Sequence, residues 1–210
     1  MRTEIIRANR RDARERALAV LESGGLVAFP TDTVYGLAAD PWNERAVRSL
    51  YQVKERPKTL PIPLLLSGAA EVERVAVLGE TCSGLPLHFW PGGLTLVLPK
   101  RESVIGDITD RPTVGVRVPD HSVALGIIDT AGGVLAVTSA NVSGEPSPVT
   151  AQEVEEQLGD RIALILDGGR CRGGVPSTVL DCSVAPPRLV RRGAIDEEEL
   201  RAVVGEVVGL

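Results

Sequence analysis

The sequence predicts an α/β fold, a single domain whose twisted, mixed parallel and antiparallel sheet is flanked by helices. Short apolar runs rich in Val, Leu, Ile and Ala recur along the chain, as buried strands require. Segments with helical periodicity and capping residues separate many of them. The apolar runs outnumber these helical segments, so strict strand–helix alternation fails and some neighbouring strands must be antiparallel.

Length and composition set the frame for this prediction. A chain of 210 residues fits one domain. We expect it to span 1–210, with a core at about 10–195 and a C-terminal helix at 196–208. Aromatic residues make up 3%, so the core must be aliphatic. No apolar run reaches the ~18 residues of a membrane helix, and the charged N-terminus lacks a signal-peptide core. We therefore expect a cytoplasmic protein without a membrane partner.

Metal and disulfide chemistry find little support in the sequence. The three cysteines are widely spaced, and no Cys-x-x-Cys pair occurs, so we expect reduced, structural thiols and no protein-held metal. The two histidines, His88 and His121, have no ligand spacing. Phosphate-loop, dinucleotide-fold and nucleophile-elbow motifs are absent from the sequence.

The charge distribution is uneven. A net charge of −5 disfavours sequence-independent nucleic-acid binding, which depends on phosphate neutralisation. Cations are nevertheless clustered locally, which is compatible with a local basic cleft. The clusters are Lys54, Arg56 and Lys58; Arg111 and Arg117; Arg170 and Arg172; and Arg188, Arg191 and Arg192.

Capping residues locate the helices. We predict helices that Asn9 caps and Gly24 stops, that Asn43 starts, and that runs over 70–78. Asp120 is expected to cap a helix reaching Ile128. Two capping boxes, each with an apolar staple, open the last two helices, at Thr150 with Glu153 and at Asp196 with Glu199.

Apolar runs locate the strands. The first is Leu26–Phe29, which leads into Pro30–Leu37. The second is 61–66, whose prolines suit an edge or entry position in the sheet. The remaining predicted strands are 94–98, 114–118, 134–137, 162–166, 177–181 and 189–191.

Polar residues follow several of these strands, which is where open α/β sheets bind ligands. The groups are Thr31–Thr33; Ser139 and Asn141 with 143–147; and Ser177 with Thr178. Hydroxyls combined with Lys54, Arg56, Arg117 and Arg191 suit an anionic ligand such as a nucleotide phosphate or a carboxylate.

Each of these residues also has a purely structural explanation. Lys54 and Arg56 are placed to favour a helix dipole, and Arg117 to be the outward residue of a strand. Ser139, Asn141 and Ser177 are common turn formers, while Thr113 and Ser147 stand beside prolines. It is less probable that all of these residues are purely structural than that any single one of them is. The residues alone therefore indicate an anion- or nucleotide-binding α/β enzyme.

Seven segments together resemble the threonylcarbamoyl-AMP synthase family, the YrdC-like proteins. Their joint order and spacing is specific, and the resemblance runs from about Ala19 to Ile195. The segments are Phe-Pro-Thr-Asp-Thr-Val-Tyr-Gly-Leu at 29–37, Lys-x-Arg-Pro at 54–57, Phe-Trp-Pro-Gly-Gly-Leu-Thr at 89–95, Val-Gly-Val-Arg-Val-Pro-Asp-His at 114–121, Thr-Ser-Ala-Asn-Val-Ser-Gly at 138–144, Ser-Thr-Val at 177–179 and Arg-x-Gly-Ala-Ile at 191–195.

The resemblance implies a YrdC-like fold, a twisted α/β sheet with a deep basic cleft. It also implies an ATP-dependent condensation of L-threonine with bicarbonate to threonylcarbamoyl-AMP and pyrophosphate, for tRNA modification. It implies a nucleotidyltransferase that uses ATP with Mg²⁺ held through the phosphates, and no prosthetic group. Partner proteins then transfer the group to tRNA, and an RNA contact in the basic cleft is a further implication.

Site roles carry over residue by residue. Lys54 and Arg56 are the implied catalytic residues, holding phosphates and developing charge. The implied ATP site adds Thr113, Asn141, Ser147 and Arg191. The implied threonine site is Thr33, Arg117, Ser139 and Ser177, with Arg117 on the carboxylate. Within the first motif, Thr33 is the expected ligand contact, whereas Thr31 and Asp32 are expected only to shape the turn.

Two positions depart from many relatives. Leu65 stands where they have a threonine-contacting His, and Leu60 where they have a Lys. We also expect the extra C-terminal domain of longer relatives to be absent. Two other functions stay open, namely a non-catalytic double-stranded RNA-binding module and a carbamoyl-adenylate-forming domain.

Overall fold

A computed structural model describes residues 2–209, and these contain ten strands and seven α-helices. The strands are β1 (Glu4–Arg7), β2 (Val27–Pro30), β3 (Tyr35–Ala39), β4 (Leu64–Leu66), β5 (Leu94–Pro99), β6 (Thr113–Arg117), β7 (Val134–Ser139), β8 (Leu164–Asp167), β9 (Thr178–Asp181) and β10 (Arg188–Arg191). The helices are α1 (Ala13–Glu22), α2 (Glu44–Val53), α3 (Val72–Val75), α4 (Leu85–Phe89), α5 (Ser122–Thr130), α6 (Ala151–Leu158) and α7 (Glu197–Val204).

All ten strands form one sheet in the order β1-β8-β2-β3-β7-β4-β6-β5-β9-β10. Four neighbouring pairs are parallel, namely β1/β8, β2/β8, β4/β6 and β5/β9. The other five are antiparallel. The predicted mixed α/β sheet is thereby confirmed.

The two faces of the sheet are covered unequally. The larger apolar cluster lies on one face, beneath α2, α6 and α7, and draws on strands across most of the sheet's width. On the other face, α1 and α5 cover β1, β8, β2, β3, β7 and β4. Among the described residues, this second cluster has no member from β5, β6, β9 or β10. The part of this face over those four strands is therefore left without helical cover, and a cleft forms there.

Several helix boundaries differ from the sequence prediction. Helix α1 begins at Ala13 rather than after Asn9, because β1 and a turn occupy the residues before it. The N-cap of α5 is His121, whose Nδ1 accepts from the Val123 N–H, and not Asp120. The helix predicted over 70–78 is a 3₁₀ turn followed by the single turn of α3.

The predicted caps of α2 and α7 are confirmed. Asn43 Oδ1 accepts from the Ala46 N–H at 3.2 Å, and Asp196 with Glu199 forms a capping box. At α6, Thr150 Oγ1 accepts from the Glu153 N–H at 3.3 Å. The Glu153 carboxylate, however, accepts from the Val149 N–H rather than from Thr150, so the box closes one residue earlier than predicted.

Some strands were unexpected. β1 lies outside the predicted core of 10–195 and is an edge strand of the sheet. β3 completes a hairpin with β2, so the first motif forms a strand, a turn and a strand. β4 begins only after the prolines and lies inside the sheet, so an edge position is wrong and an entry position is correct. Ser139 is the last residue of β7 rather than part of the following loop.

Candidate functional site

The floor of the cleft is formed by strand residues whose side chains point away from the larger apolar cluster. In β6, Val114 and Val116 are buried in that core. Because side chains alternate along a strand, Thr113, Gly115 and Arg117 project to the open face. A cavity of about 170 Å³ opens here. Its walls are Thr31, Thr33, Val34, Tyr35, Gly36, Arg56, Pro63, Leu65, Thr95, Arg117, Val137, Thr138, Ser139, Ser147, Pro176, Ser177 and Arg191.

The turn between β2 and β3 supplies one wall. Thr31 Oγ1 donates to the Val34 carbonyl at 2.7 Å and lies 3.0 Å from Thr33 Oγ1. The same oxygen accepts from the N–H groups of Thr33 and Val34. These local bonds fold the four-residue turn and leave Thr31 and Thr33 almost fully buried.

Arg117 is anchored on three sides. Its Nη2 donates to both carboxylate oxygens of Asp32, each at 2.6 Å, its Nη1 to Thr33 Oγ1 at 3.0 Å and its Nε to the Gly92 carbonyl at 2.8 Å. Asp32 also accepts from the Asp120 N–H. Burial lowers the pKa of Arg117 and Asp32 raises it. Asp32 therefore does more than shape its turn, contrary to the sequence expectation, because it pairs with the central cation of the cleft.

Two further guanidiniums face the same cavity. Arg56 donates through Nε to the Leu60 carbonyl and through Nη2 to the Pro61 carbonyl. Arg191 donates through Nε and Nη2 to the Ser177 carbonyl, at 3.1 and 2.9 Å. Burial lowers the pKa of both, and the charges of Arg117 and Arg56 lower that of Arg191 further. Three cations thus lie within electrostatic range of one another.

Ser177 joins this cationic wall to the cleft floor. Its hydroxyl accepts from Arg191 Nη2 at 3.1 Å and lies 2.8 Å from Thr95 Oγ1. The segment 191–194 packs closely against residues 176–178. Gly193 permits this approach, since a Cβ there would come within 2.3 Å of the Pro176 carbonyl oxygen.

Lys54 lies behind the cavity rather than in its wall. Its side chain is 1% exposed, and Nζ donates to the carbonyls of Ser139 and Asn141. Its own carbonyl accepts from the Ser143 N–H at 2.8 Å. Burial lowers the pKa of Lys54 to about 7, with a smaller contribution from Arg56. Lys54 therefore fastens the end of β7 and the following loop to the C-terminus of α2.

That loop carries two more predicted residues. Asn141 Nδ2 donates to the carbonyls of Val142 and Glu145, both at 2.8 Å, so the side chain braces the loop from inside. Ser139 and Ser147, at either end, line the cavity.

The structure brings together seven of the ten predicted site residues in the cavity wall: Thr33, Arg56, Arg117, Ser139, Ser147, Ser177 and Arg191. Lys54 and Asn141 lie directly behind it. Thr113 stands on the same open face of β6 but at the far end of the strand from Arg117, beyond the cavity. Sequence reasoning missed Thr95 and the pairing of Asp32. Thr95 lies within a quoted motif, but its position on the open face follows only from the sheet.

The arrangement suits a small, anionic, multiply hydrogen-bonded ligand. Three guanidiniums converge, yet Asp32 is the one carboxylate paired with any of them among the described residues. Hydroxyls from three strand ends surround them. The fold and site thus define an α/β protein that binds an anion on an open sheet face.

Comparison with known proteins identifies the family. The Sua5/YciO/YrdC family model, described as "Telomere recombination", matches residues 19–193. The chain belongs to this family, which confirms the resemblance seen in the sequence. Within residues 2–209, the structure has no helix long and apolar enough to cross a membrane.

Individual relatives share both sequence and fold. The chain is 43% identical to the threonylcarbamoyl-AMP synthase of Pyrococcus abyssi and 42% to that of Bacillus subtilis, over 91% of its length in each case. It spans 57% and 56% of those two relatives, respectively. The crystal structure of P. abyssi Sua5 complexed with L-threonine superimposes with a TM-score of 0.95 at 41% identity, covering 99% of this chain and 63% of that one.

Proposed function

We propose that this chain is an L-threonylcarbamoyladenylate synthase, which condenses L-threonine, bicarbonate and ATP to threonylcarbamoyl-AMP and pyrophosphate. One observation carries the proposal: Arg56, Arg117 and Arg191 converge on a hydroxyl-lined cavity in a member of this family. The net positive charge suits a triphosphate, and the neighbouring hydroxyls suit an amino acid. P. abyssi Sua5, which binds L-threonine in its crystal structure, supports the amino-acid assignment.

The chemistry matches a site without an enzyme nucleophile. Threonine and bicarbonate give a carbamate with loss of water, and a carbamate oxygen then attacks the α-phosphorus of ATP. The bond from that phosphorus to the bridging oxygen breaks, and pyrophosphate leaves. The attacking oxygen already carries negative charge, so the protein has to align the reactants and stabilise the charge that moves to the leaving group.

We assign roles by position in the cleft. Arg56 and Arg191 form the cationic end, where they hold ATP phosphates. Thr33, Arg117, Ser139 and Ser177 hold threonine, with Arg117 on its carboxylate. Ser147 lines the ATP side, and Thr113 extends it along the open face of β6. Lys54 and Asn141 act from behind the wall. We therefore place Arg56 at the reacting phosphates and give Lys54 a supporting role.

Mg²⁺ would enter as part of the substrate complex, held through the ATP phosphates. The product would pass to partner proteins that transfer the threonylcarbamoyl group to tRNA, consistent with a cytoplasmic location. The adenosine and an RNA contact would lie on the uncovered part of the sheet face, beside the cavity.

The decisive assay is pyrophosphate release from ATP, with threonine and bicarbonate each omitted in turn. We expect either omission to abolish release. Arg56→Ala should reduce it by about a hundredfold or more, since a guanidinium contact to the transferring phosphate is lost. Arg45→Ala, which removes an exposed cation on α2, is the matched control and should be without effect.

The alternative activities give different results in the same assay. Release that persists without threonine would refute the proposed synthase. Release that instead requires carbamoyl phosphate would indicate a carbamoyl-adenylate-forming domain. Tight, salt-sensitive RNA binding with no turnover of ATP would indicate a non-catalytic RNA-binding module.

A further inference from the structure

The hydrogen bonds at the turn between β2 and β3 fix the direction of each hydroxyl. A threonine hydroxyl has one proton to donate. Thr31 gives its proton to the Val34 carbonyl at 2.7 Å. The contact between Thr31 Oγ1 and Thr33 Oγ1 is 3.0 Å, and either oxygen could donate on distance alone. Because Thr31 gives its proton to Val34, we assign Thr33 as the donor. This contact is shorter than the 3.2 and 3.3 Å contacts by which the Thr33 and Val34 N–H groups approach the same Thr31 oxygen. The Thr33 proton points away from any ligand in the cavity.

Arg117 limits Thr33 further. Its Nη1 donates to Thr33 Oγ1, which occupies one of the two lone pairs on that oxygen. The lone pair that remains makes Thr33 an acceptor toward the cavity. On Arg117 itself, Asp32 takes Nη2 and Gly92 takes Nε, so the second Nη1 proton is left as the donor beside Thr33. The protein thus offers one acceptor next to one donor.

The distribution of charge also gives the cavity two different ends. Asp32 neutralises Arg117 through two 2.6 Å contacts. Arg56 and Arg191 donate to main-chain carbonyls and, in Arg191, also to the Ser177 hydroxyl, and they have no carboxylate partner among the described residues. One end is therefore close to neutral, and the other carries about two positive charges. A neutral zwitterion suits the first end, and an anion suits the second.

We propose that Asp32 is a positioning residue that sets the polarity of the amino-acid subsite. Asp32 holds Arg117 in place and cancels its charge, so that Nη1 keeps donating to Thr33 and one Arg117 proton is left for the ligand's carboxylate. Because the Thr33 proton is directed to Thr31, the remaining Thr33 lone pair accepts from the ligand's ammonium. This inference rests on the proposed function for the identity of the amino acid, and it adds the part that Asp32 plays in the subsite.

The test compares L-threonine with (2S,3R)-2,3-dihydroxybutanoate, in which a hydroxyl replaces the ammonium. Calorimetry measures the affinity of both, and of ATP, for the full chain. We expect the wild type to prefer threonine by about tenfold or more, since a hydrogen bond to a charged donor is lost in the analogue. Asp32→Asn leaves Arg117 uncompensated, so this preference should fall by about tenfold while ATP affinity is retained. Asp120→Asn, at the exposed neighbouring carboxylate, should match the wild type.

A second variant tests the same polarity with the ion pair intact. Thr31→Val removes the oxygen that receives the Thr33 proton, so that proton can turn to the ligand. The preference for threonine should again fall, with no change in charge. Thermal melting verifies that each variant folds. Should Asp32→Asn fail to fold, the Thr31→Val result decides.

The outcomes separate the two proposals. An unchanged preference in Thr31→Val would overturn the inferred polarity of Thr33, and with it the subsite that Asp32 is proposed to set. Equal losses for threonine, the analogue and ATP in Asp32→Asn would overturn the role of Asp32. A wild type that binds the analogue as tightly as threonine would overturn it as well. If threonine binding shows the expected pattern but pyrophosphate release does not depend on threonine, the inferred polarity holds and the proposed synthase activity fails.

Discussion

Replacing the buried lysine, Lys54→Met, probes the physical chemistry behind the cavity wall. Methionine keeps much of the aliphatic stem but removes the amino group that donates to the Ser139 and Asn141 carbonyls. Two buried carbonyls lose a partner, at a cost of about 1–3 kcal/mol each. Against this, the variant no longer has to bury an amine that burial makes hard to protonate.

These two effects respond differently to pH. The folded-state pKa of Lys54 is about 7. In the unfolded chain a lysine has a pKa of about 10.4. Between these values the unfolded chain binds one more proton than the folded protein, so the wild type gains stability as pH rises. From pH 7 to pH 9, the linkage relation gives a gain of about 2 kcal/mol, which Lys54→Met cannot show.

Urea denaturation at pH 7 and pH 9 measures this difference. We expect the stability of the wild type relative to Lys54→Met to increase by about 2 kcal/mol over that interval. Lys58→Met, four residues on and at an exposed side chain, should give the same difference at both pH values. A difference between wild type and Lys54→Met that stays flat, or that reverses in sign, would refute the argument that burial dominates the titration of Lys54.

Three further predictions follow from single contacts. Leu65→Ala removes side-chain volume from the cavity wall and from the smaller apolar cluster. It should lower the free energy of unfolding by about 2–5 kcal/mol, and lower the ratio of kcat/KM for threonine over serine by about tenfold. An unchanged ratio would exclude a Leu65 contact with the ligand's methyl group. Gly193→Ala places a Cβ 2.3 Å from a main-chain oxygen and should destabilise the fold by about 1–3 kcal/mol, whereas Gly106→Ala, with open space around it, should not. Thr150→Ala removes the α6 N-cap and should cost about 1 kcal/mol in urea denaturation, a loss that Thr150→Ser should largely avoid.

The local chemistry of the sequence determined much of this protein. Asn43 and the Asp196 box start their helices where predicted, because a cap and the first turn depend on residues a few positions apart. Seven predicted site residues line one cavity. Two signals in the sequence identified them, namely polar residues just past buried strands and the motifs shared with the family. Where a neighbour along the chain competes, local reasoning failed. His121 displaced Asp120 as a cap, and a turn at 8–12 delays the start of α1 to Ala13.

The tertiary structure decided what each polar residue does. Lys54 and Arg56 are two positions apart in one motif, yet the fold turns Lys54 into the protein and Arg56 into the cleft. Asp32 lies 85 positions from Arg117, and only the order of strands in the sheet brings them within 2.6 Å. The cleft exists because α1 and α5 cover only six of the ten strands on this face. Which helices cover which strands is a property of long-range packing, and spacing along the chain does not encode it directly.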